Sequence, residues 1–148
     1  MSEMTLEKLK GWSSKERYSN GYYRKVYDLI ETLSESGILQ TLDKGHVFYP
    51  QNIFLEEEDI EFLFISERYI SICNIDEQGD VHVQTLSLKE INKVELLKLN
   101  PEKRTAELIV YINNEEPIIL SNEKDTNEHW GRKFYDLILE IYSVLKVK

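Results

Sequence analysis

The segment Thr105-Ala106-Glu107-Leu108-Ile109-Val110-Tyr111-Ile112 contains the clearest two-residue alternation in the chain. Successive side chains of a β-strand point to opposite faces of its sheet. One face therefore receives the aliphatic residues Ala106, Leu108, Val110 and Ile112. The other face receives Thr105, Glu107, Ile109 and Tyr111, so the segment predicts a strand with two unlike faces.

The same period continues across residues 45–121 and predicts a sheet of about seven strands. The predicted strands cover residues 46–49, 60–66, 69–75, 81–86, 91–99, 104–112 and 117–120. The connections between them are short and rich in turn-forming residues, at 67–68, 76–80, 100–103 and 113–116. Parallel neighbours would need long crossovers, so we expect an antiparallel meander.

The first forty residues predict helices. Leu6 and Leu9 belong to a short opening helix, which we expect Gly11 to interrupt. Ser13 or Ser14 then offers a side-chain oxygen that can cap the start of a second helix.

The second helix is predicted from large apolar residues that recur every three or four positions over residues 18–33. Gly21 inside this helix costs up to about 1 kcal/mol relative to alanine, so we expect a kink or close packing there. Gly37 is expected to end the helix with a positive φ. Residues 40–45 are the one candidate linker between the helices and the sheet.

A long amphipathic helix is predicted at the end of the chain. Asp125, Thr126 or Asn127 can cap its start. Its apolar residues repeat at intervals of three and four and form a stripe for the sheet, comprising Trp130, Phe134, Leu137, Ile138, Ile141, Val144 and Leu145.

This order of about seven antiparallel strands and one C-terminal helix resembles the pleckstrin-homology-like (PH-like) superfold. Residues 62–72 look like the bacterial PH and GRAM hairpin, in which an apolar strand meets a turn with Arg68 and returns as an aliphatic strand. Residues 86–94 are similar to the segment that passes from one sheet to the next in those domains. The chain also resembles small uncharacterised proteins of Gram-positive bacteria and their phages.

The resemblance implies an α+β fold, with an antiparallel PH-like barrel or sandwich closed by the C-terminal helix. It covers about residues 45–146. We therefore expect an N-terminal helical extension at residues 1–44 and a PH-like unit at residues 45–148, together forming one compact domain.

Members of this superfold often bind phosphoinositides or other proteins, and the lipid-binding members carry Lys and Arg in the first strand–strand loop. The corresponding residues here are Phe54, Leu55 and the acidic run Glu56-Glu57-Glu58-Asp59. A phosphate group would be repelled there. The resemblance therefore implies the PH-like scaffold but not a lipid ligand.

The charge distribution supports this exclusion. The chain has 18 basic and 27 acidic residues and a formal net charge of −9. Residues 45–100 hold only four of the basic residues but eleven of the acidic ones. Contacts to phosphate need Lys or Arg, so we expect neither nucleic acid nor membrane lipid as a partner.

A cytoplasmic location is expected from three absences in the sequence. No apolar run has the length that a bilayer needs, and the first residues lack the layout of a signal peptide. Cys73 has no second cysteine with which to form an internal disulfide. It lies in a strand-like apolar run, which predicts a buried structural thiol.

The sequence contains no recognisable catalytic or metal site. His46, His82 and His129 are far apart and lack the spacing of a zinc-binding helix. The glycines are scattered, and there is neither a phosphate-binding glycine loop nor a Gly-x-Ser-x-Gly elbow. We expect no catalytic residue, cofactor or metal ion, and no enzymatic activity.

The acidic run Glu56-Glu57-Glu58-Asp59 is the first candidate interaction site. Such a run can bind a divalent cation weakly or dock on a basic partner, and it can also be a solvated loop that protects a strand edge. Residues 76–80 look superficially like a calcium loop. They lack its third acidic position and distal glutamate, so a hairpin turn is predicted instead.

A cluster of aromatic residues near the N-terminus is the second candidate site. Its members are Trp12, Tyr18, Tyr22, Tyr23 and Tyr27. Tyrosine suits interfaces because it buries a large rigid surface while its hydroxyl tolerates water. Neighbouring helix positions lie about 100° apart, so we expect some of these side chains to be exposed. The alternative is a helix packed on the sheet with its hydroxyls at the rim.

These features lead to two main hypotheses. The first is a non-enzymatic protein–protein interaction module, whose partner includes the option of a second copy of itself. The second is an acidic inhibitor or nucleic-acid mimic that occupies a basic groove on another protein. An enzyme of unfamiliar type and a small-ligand pocket between helix and sheet stay open as further alternatives.

Overall fold

The computed structural model describes residues 5–42 and 47–146. Within them the chain has an α+β fold of four α-helices and seven strands. The helices are α1 (Leu6–Glu16), α2 (Gly21–Glu35), α3 (Ile38–Leu42) and α4 (Gly131–Leu145). The strands are β1 (Val47–Gln51), β2 (Glu61–Ile65), β3 (Tyr69–Ile75), β4 (Val81–Ser87), β5 (Ile91–Asn100), β6 (Thr105–Ile112) and β7 (Ile118–Ser121).

The strands form two antiparallel meanders, as the short turns predict. One sheet has the order β1-β2-β3-β4 and the other β5-β6-β7. The chain passes from the first to the second through a 3₁₀ turn at Leu88–Glu90. Every described strand end lies within two residues of its prediction, whereas the predicted start at His46 lies outside the described residues.

The two sheets do not close into a barrel, which corrects the barrel alternative. Hydrogen-bonded pairing stops at β4 and β5 on one side and at β1 and β7 on the other. Side chains bridge the second gap, where Gln51 Nε2 donates to the carbonyl oxygen of Ile119 at 2.9 Å. Pro50 in β1 has no N–H to contribute to a ladder there, which fits an edge position.

The burial of side chains along strand β6 confirms the two faces that were predicted from its alternation. Its even-numbered residues, from Ala106 to Ile112, are buried, and its odd-numbered residues are partly exposed. Leu108 stands opposite Leu96 of β5 and Leu120 of β7. The buried face is covered by α4, whose buried residues are Phe134, Tyr135, Ile138, Ile141 and Leu145.

None of the three candidate residues caps α4 itself, because its N-cap position is Trp130, which makes no side-chain cap hydrogen bond. Asn127 caps the 3₁₀ turn that precedes α4, because its Oδ1 accepts a 3.0 Å hydrogen bond from the Trp130 backbone N–H. Thr126 instead donates its hydroxyl to the carbonyl oxygen of Ile53 at 3.2 Å. Asp125 is buried and bonds elsewhere, as described below.

The opening helix was predicted too short. Helix α1 continues through Gly11 to Glu16, because the burial of Leu6 and Leu9 outweighs the small cost of one exposed glycine. Ser13 is buried within this helix and bonds the Lys10 carbonyl oxygen instead of capping α2.

Helix α2 is capped by Asn20, whose Oδ1 accepts a 2.7 Å hydrogen bond from the Tyr22 backbone N–H. Gly21 is its first residue, so neither a kink nor close packing arises there. Gly37 has a φ of 81° after the helix end, as predicted. Part of the expected linker at 40–45 belongs to α3, and its residues 43–45 lie outside the described residues.

One hydrophobic core joins the helices to both sheets. Helix α2 contributes Val26, Leu29, Ile30 and Leu33, all less than 2 % exposed. They belong to the same cluster as the inner residues of the strands and of α4. The N-terminal helices are therefore part of the core, and they position the residues of the candidate site.

Candidate functional site

The two candidate surfaces from the sequence meet at one glutamate. The Tyr23 hydroxyl donates a 2.5 Å hydrogen bond to Glu56 Oε2, and Asn20 Nδ2 donates one of 2.6 Å to Glu56 Oε1. Helix α2 and the β1–β2 loop are thus joined at their surfaces. We call the combined surface of Tyr18, Tyr23, Glu56, Glu57, Glu58 and Asp59 the tyrosine–acidic surface.

Packed aromatic rings support Tyr23 and the loop that carries the acidic run. The Trp12 ring lies edge-on to Tyr23 at a centroid distance of 4.8 Å and to Phe54 at 4.6 Å. Phe54 in turn stacks on Trp130 at 6.0 Å. Such pairs contribute about 0.5–1.5 kcal/mol each beyond their buried area. Trp12 therefore anchors α1 to the loop, and Phe54 links the loop to Trp130 at the start of α4.

Tyr22 is a core residue, which removes it from the candidate interaction residues. It is 8 % exposed, and its hydroxyl donates a 2.6 Å hydrogen bond to the carbonyl oxygen of Asn52. Burial raises the pKa of Tyr22 far above its ordinary value. For Tyr23 the hydrogen bond to Glu56 is the main reason why the pKa rises to about 12.

Tyr18 and Tyr27 both lie beside the guanidinium group of Arg17. The guanidinium carbon of Arg17 lies 4.8 Å from the Tyr18 ring centroid and 4.7 Å from that of Tyr27. Tyr27 is partly buried beside it. Tyr18 precedes α2 and is 78 % exposed, so it is the most accessible of the four tyrosines.

The acidic loop keeps three carboxylates at the surface. Glu57, Glu58 and Asp59 are exposed, and no described Lys, Arg or His forms an ion pair with them. Asn52 holds the loop closed, because its Nδ2 donates a 2.8 Å hydrogen bond to the Asp59 carbonyl oxygen. A fixed loop that presents unpaired carboxylates favours contact with a cationic surface.

The β3–β4 connection is a hairpin turn, as predicted. Asp76 Oδ1 accepts backbone hydrogen bonds of 2.9 Å from Gln78 and Asp80, and its Oδ2 lies 2.9 Å from His82 Nε2. The hydrogen bond with His82 is the main reason why the pKa of Asp76 is lowered. Gly79 supplies a φ of 86°. The Asp76 carboxylate is therefore used to shape the turn.

A buried polar cluster joins β1 to the segment after β7. The Tyr49 hydroxyl donates a 2.6 Å hydrogen bond to Asp125 Oδ2, which also accepts one of 2.7 Å from the Ser121 backbone N–H. Gln51 Nε2 donates to Asp125 Oδ1 at 3.0 Å. Burial raises the pKa of Asp125. These contacts link the two sheets where no ladder forms.

A groove of about 960 Å³ lies at the opposite end of the four-stranded sheet, and sequence reasoning missed it. It is bordered by the β2–β3 turn, the Leu88–Glu90 turn, the start of β5 and the end of α4. Its basic residues are Arg68, Lys89, Lys93 and Lys146. Residues 45–100 contain four basic residues, and three of them line this groove, which is the signal that sequence reasoning could have used.

The remaining titratable candidates are dispersed. Among the described residues, no group of three or more His, Cys, Asp or Glu is placed to hold a metal ion. His46 lies outside the described residues, His82 bonds Asp76, and His129 is exposed beside Trp130. Cys73 is buried, which raises the pKa of its thiol to about 12 and confirms the structural thiol.

None of the described helices combines the length and apolar character needed to cross a bilayer.

Comparisons with known proteins give a family without an assigned activity. No curated protein and no solved structure matches the chain significantly. A family model described as a protein of unknown function, DUF3908, matches residues 5–136. The match extends from the start of α1 into α4 and so includes both the helices and the strands of the candidate site. The chain therefore belongs to the DUF3908 family.

Proposed function

We propose that the chain is a non-enzymatic protein-interaction module that contacts a partner through the tyrosine–acidic surface. The observation that carries this proposal is the pair of hydrogen bonds that Glu56 accepts from Asn20 and Tyr23. They fix the acidic loop against helix α2 before any partner arrives. A preformed surface loses less conformational entropy on binding than a mobile one.

The exposed groups indicate the chemistry of the partner. Tyr18 offers a large accessible ring in the segment that leads into α2, and Glu57, Glu58 and Asp59 offer exposed carboxylates on the loop that Asn20 and Tyr23 hold. A partner with an Arg- or Lys-rich patch can form ion pairs with the loop and stack on the tyrosine. We therefore propose that the partner is a protein with a basic surface. We also propose that the contact forms in the cytoplasm.

We also propose that the scaffold is PH-like. Four antiparallel strands followed by three, and a C-terminal helix that contacts both sheets, support this relationship. The crossing between the sheets occurs at Leu88–Glu90, inside the segment that resembles the one used by PH and GRAM domains. A lipid head group is not proposed at the acidic loop because its carboxylates would repel phosphate.

A second candidate function is an acidic inhibitor or nucleic-acid mimic. The three carboxylates of Glu57, Glu58 and Asp59, which lack described ion-pair partners, favour it. A mimic would bind its basic groove mainly by charge, so its affinity would fall steeply with salt. Contact through Tyr18 would weaken much less, because burial of an aromatic ring is not screened.

The test compares two matched variants in quantitative pull-downs followed by mass spectrometry. The surface variant carries Tyr18→Ala, Glu57→Gln, Glu58→Gln and Asp59→Asn. The control carries Glu102→Gln, Glu123→Gln and Glu140→Gln, three exposed carboxylates outside the surface. We expect specific partners to be retained by the control and lost by the surface variant. Equal recovery by both variants would remove the proposal, and light scattering of both reports on self-association.

A further inference from the structure

We propose that the groove between the β2–β3 turn, the Leu88–Glu90 turn and the end of α4 binds a small organic anion. The ligand class is a phosphate or carboxylate group on a short apolar body. This site lies at the other end of the four-stranded sheet from the acidic loop. It is therefore independent of the function proposed for the tyrosine–acidic surface.

The charge around the groove is opposite to that of the chain. The net charge is −9, yet the lining contains four basic residues and only one carboxylate, Glu67. Among the described residues, Arg68, Lys89 and Lys146 form no ion pair. Lys93 lies 3.9 Å from Glu95 and remains largely exposed. A local excess of unpaired cations in an acidic protein indicates a site for an anion.

Two of these cations are carried by turns that bond to each other. The Leu88 backbone N–H donates a 3.0 Å hydrogen bond to the carbonyl oxygen of Arg68. Ser66 Oγ accepts one of 3.2 Å from the Arg68 backbone N–H, and Ser87 Oγ accepts one of 3.2 Å from that of Lys89. The backbone positions of both residues are thus fixed, which reduces the ordering cost of binding an anion between them.

The groove also has apolar side chains in its lining. Its lining includes Leu88, Val94, Tyr142 and Leu145 between the basic residues. A volume of about 960 Å³ is at the upper end of the range of about 300–1,000 Å³ that small-molecule sites occupy. An inorganic ion would leave these apolar side chains uncovered, so the mixed lining favours a ligand with an apolar body.

The first test uses isothermal titration calorimetry on the whole chain with four probes. Hexyl phosphate and heptanoate carry both an anionic group and an apolar body, inorganic phosphate has only the charge, and hexanol has only the body. We expect at least one of the organic anions to bind about tenfold more tightly than inorganic phosphate, and hexanol not to bind. If neither hexyl phosphate nor heptanoate binds more tightly than inorganic phosphate, the proposal is overturned.

The second test places the ligand in the groove. Arg68→Gln with Lys89→Gln should weaken binding of the organic anion about tenfold or more, because charge-assisted hydrogen bonds are lost. The control, Lys103→Gln with Lys124→Gln, removes the same charge from exposed positions outside the groove and should leave the affinity unchanged. A similar loss in both variants would contradict a specific site.

Two further measurements separate folding and membrane effects from binding. Amide chemical shifts in nitrogen–proton spectra should confirm that both double variants are folded, and in the wild type hexyl phosphate should shift residues 68 and 88–94. Co-sedimentation with phosphatidylcholine vesicles, with and without phosphatidic acid, tests a lipid source. Binding to the acidic vesicles without binding of the free organic anions would overturn the proposal of a small soluble ligand.

Discussion

The hydroxyl of Tyr23 donates a 2.5 Å hydrogen bond to Glu56 Oε2 and so joins helix α2 to the acidic loop. This bond is the main reason why the pKa of Tyr23 rises to about 12. Tyr23 accordingly works as an anchor for the loop, while the Tyr18 side chain stays 78 % exposed.

A double-mutant cycle measures the coupling between these two residues. Tyr23→Phe and Glu56→Gln should each lower the free energy of unfolding by about 1 kcal/mol or less, because the bond lies at the surface. The double variant should lose less than the sum, with a coupling of about 0.5 kcal/mol or more in urea unfolding.

The pair Tyr111–Glu95 provides the control for this cycle. Its hydrogen bond has a similar length of 2.7 Å but lies in the second sheet. Combining Tyr23→Phe with Glu95→Gln should therefore give a coupling close to zero. Additive losses for Tyr23 and Glu56 would show that their hydrogen bond does not form in solution.

Tyr22 and Tyr18 should respond in opposite ways to truncation. Tyr22→Ala removes a buried ring and the hydrogen bond to Asn52, so it should cost about 3 kcal/mol or more of the free energy of unfolding. Tyr18→Ala should change it by about 0.5 kcal/mol or less, because that side chain is exposed. Chemical denaturation measures both values, and a large loss for Tyr18→Ala would assign it to the core.

Asp125 should make part of the stability depend on pH. Burial raises its pKa in the folded state above the value of about 3.9 for an unfolded chain. The folded state therefore binds the proton more tightly, and this contribution to stability is fully present below the unfolded pKa. It is lost as the pH rises through the folded pKa.

The variant Asp125→Asn isolates this effect because it does not titrate. As the pH rises from about 3 to about 6, the wild type should lose free energy of unfolding relative to the variant. Urea denaturation at several pH values measures the difference, which removes the contribution of the other carboxylates. A difference that grows in favour of the wild type would mean that the carboxylate is stabilised as an anion.

Cys73 should be unreactive in the folded chain. Its burial raises the pKa of the thiol to about 12, so little thiolate forms at neutral pH. Ellman's reagent should react with the native chain only at the rate at which the fold opens, and at once in denaturant. Rapid labelling of the native chain would place the thiol at the surface.

The strands were predictable because their signal is local. Alternation along β6 and short turns between successive strands determine both the faces and the antiparallel pairing. The helix boundaries near the N-terminus were less accessible to sequence reasoning. There Asn20 competes with Ser13 and Ser14 as a cap, and the burial of Leu6 and Leu9 carries α1 past Gly11.

The candidate site depended on contacts between distant parts of the chain. Tyr23 and Glu56 were both singled out by composition, but nothing in the sequence places their side chains together across 33 positions. The groove is a similar case, because Arg68 and Lys146 come together only when α4 packs against the sheets. Such pairing is set by the tertiary fold and not by local propensity.

The central claim is that the tyrosine–acidic surface binds a protein partner. Its most direct measurement is the amount of each partner recovered by the surface variant relative to the variant with Glu102, Glu123 and Glu140 neutralised. We expect the surface variant to recover about tenfold less of a specific partner than the control variant, or even less, since several exposed contacts are removed together. A ratio near one for every recovered protein, with both variants folded, would contradict the claim.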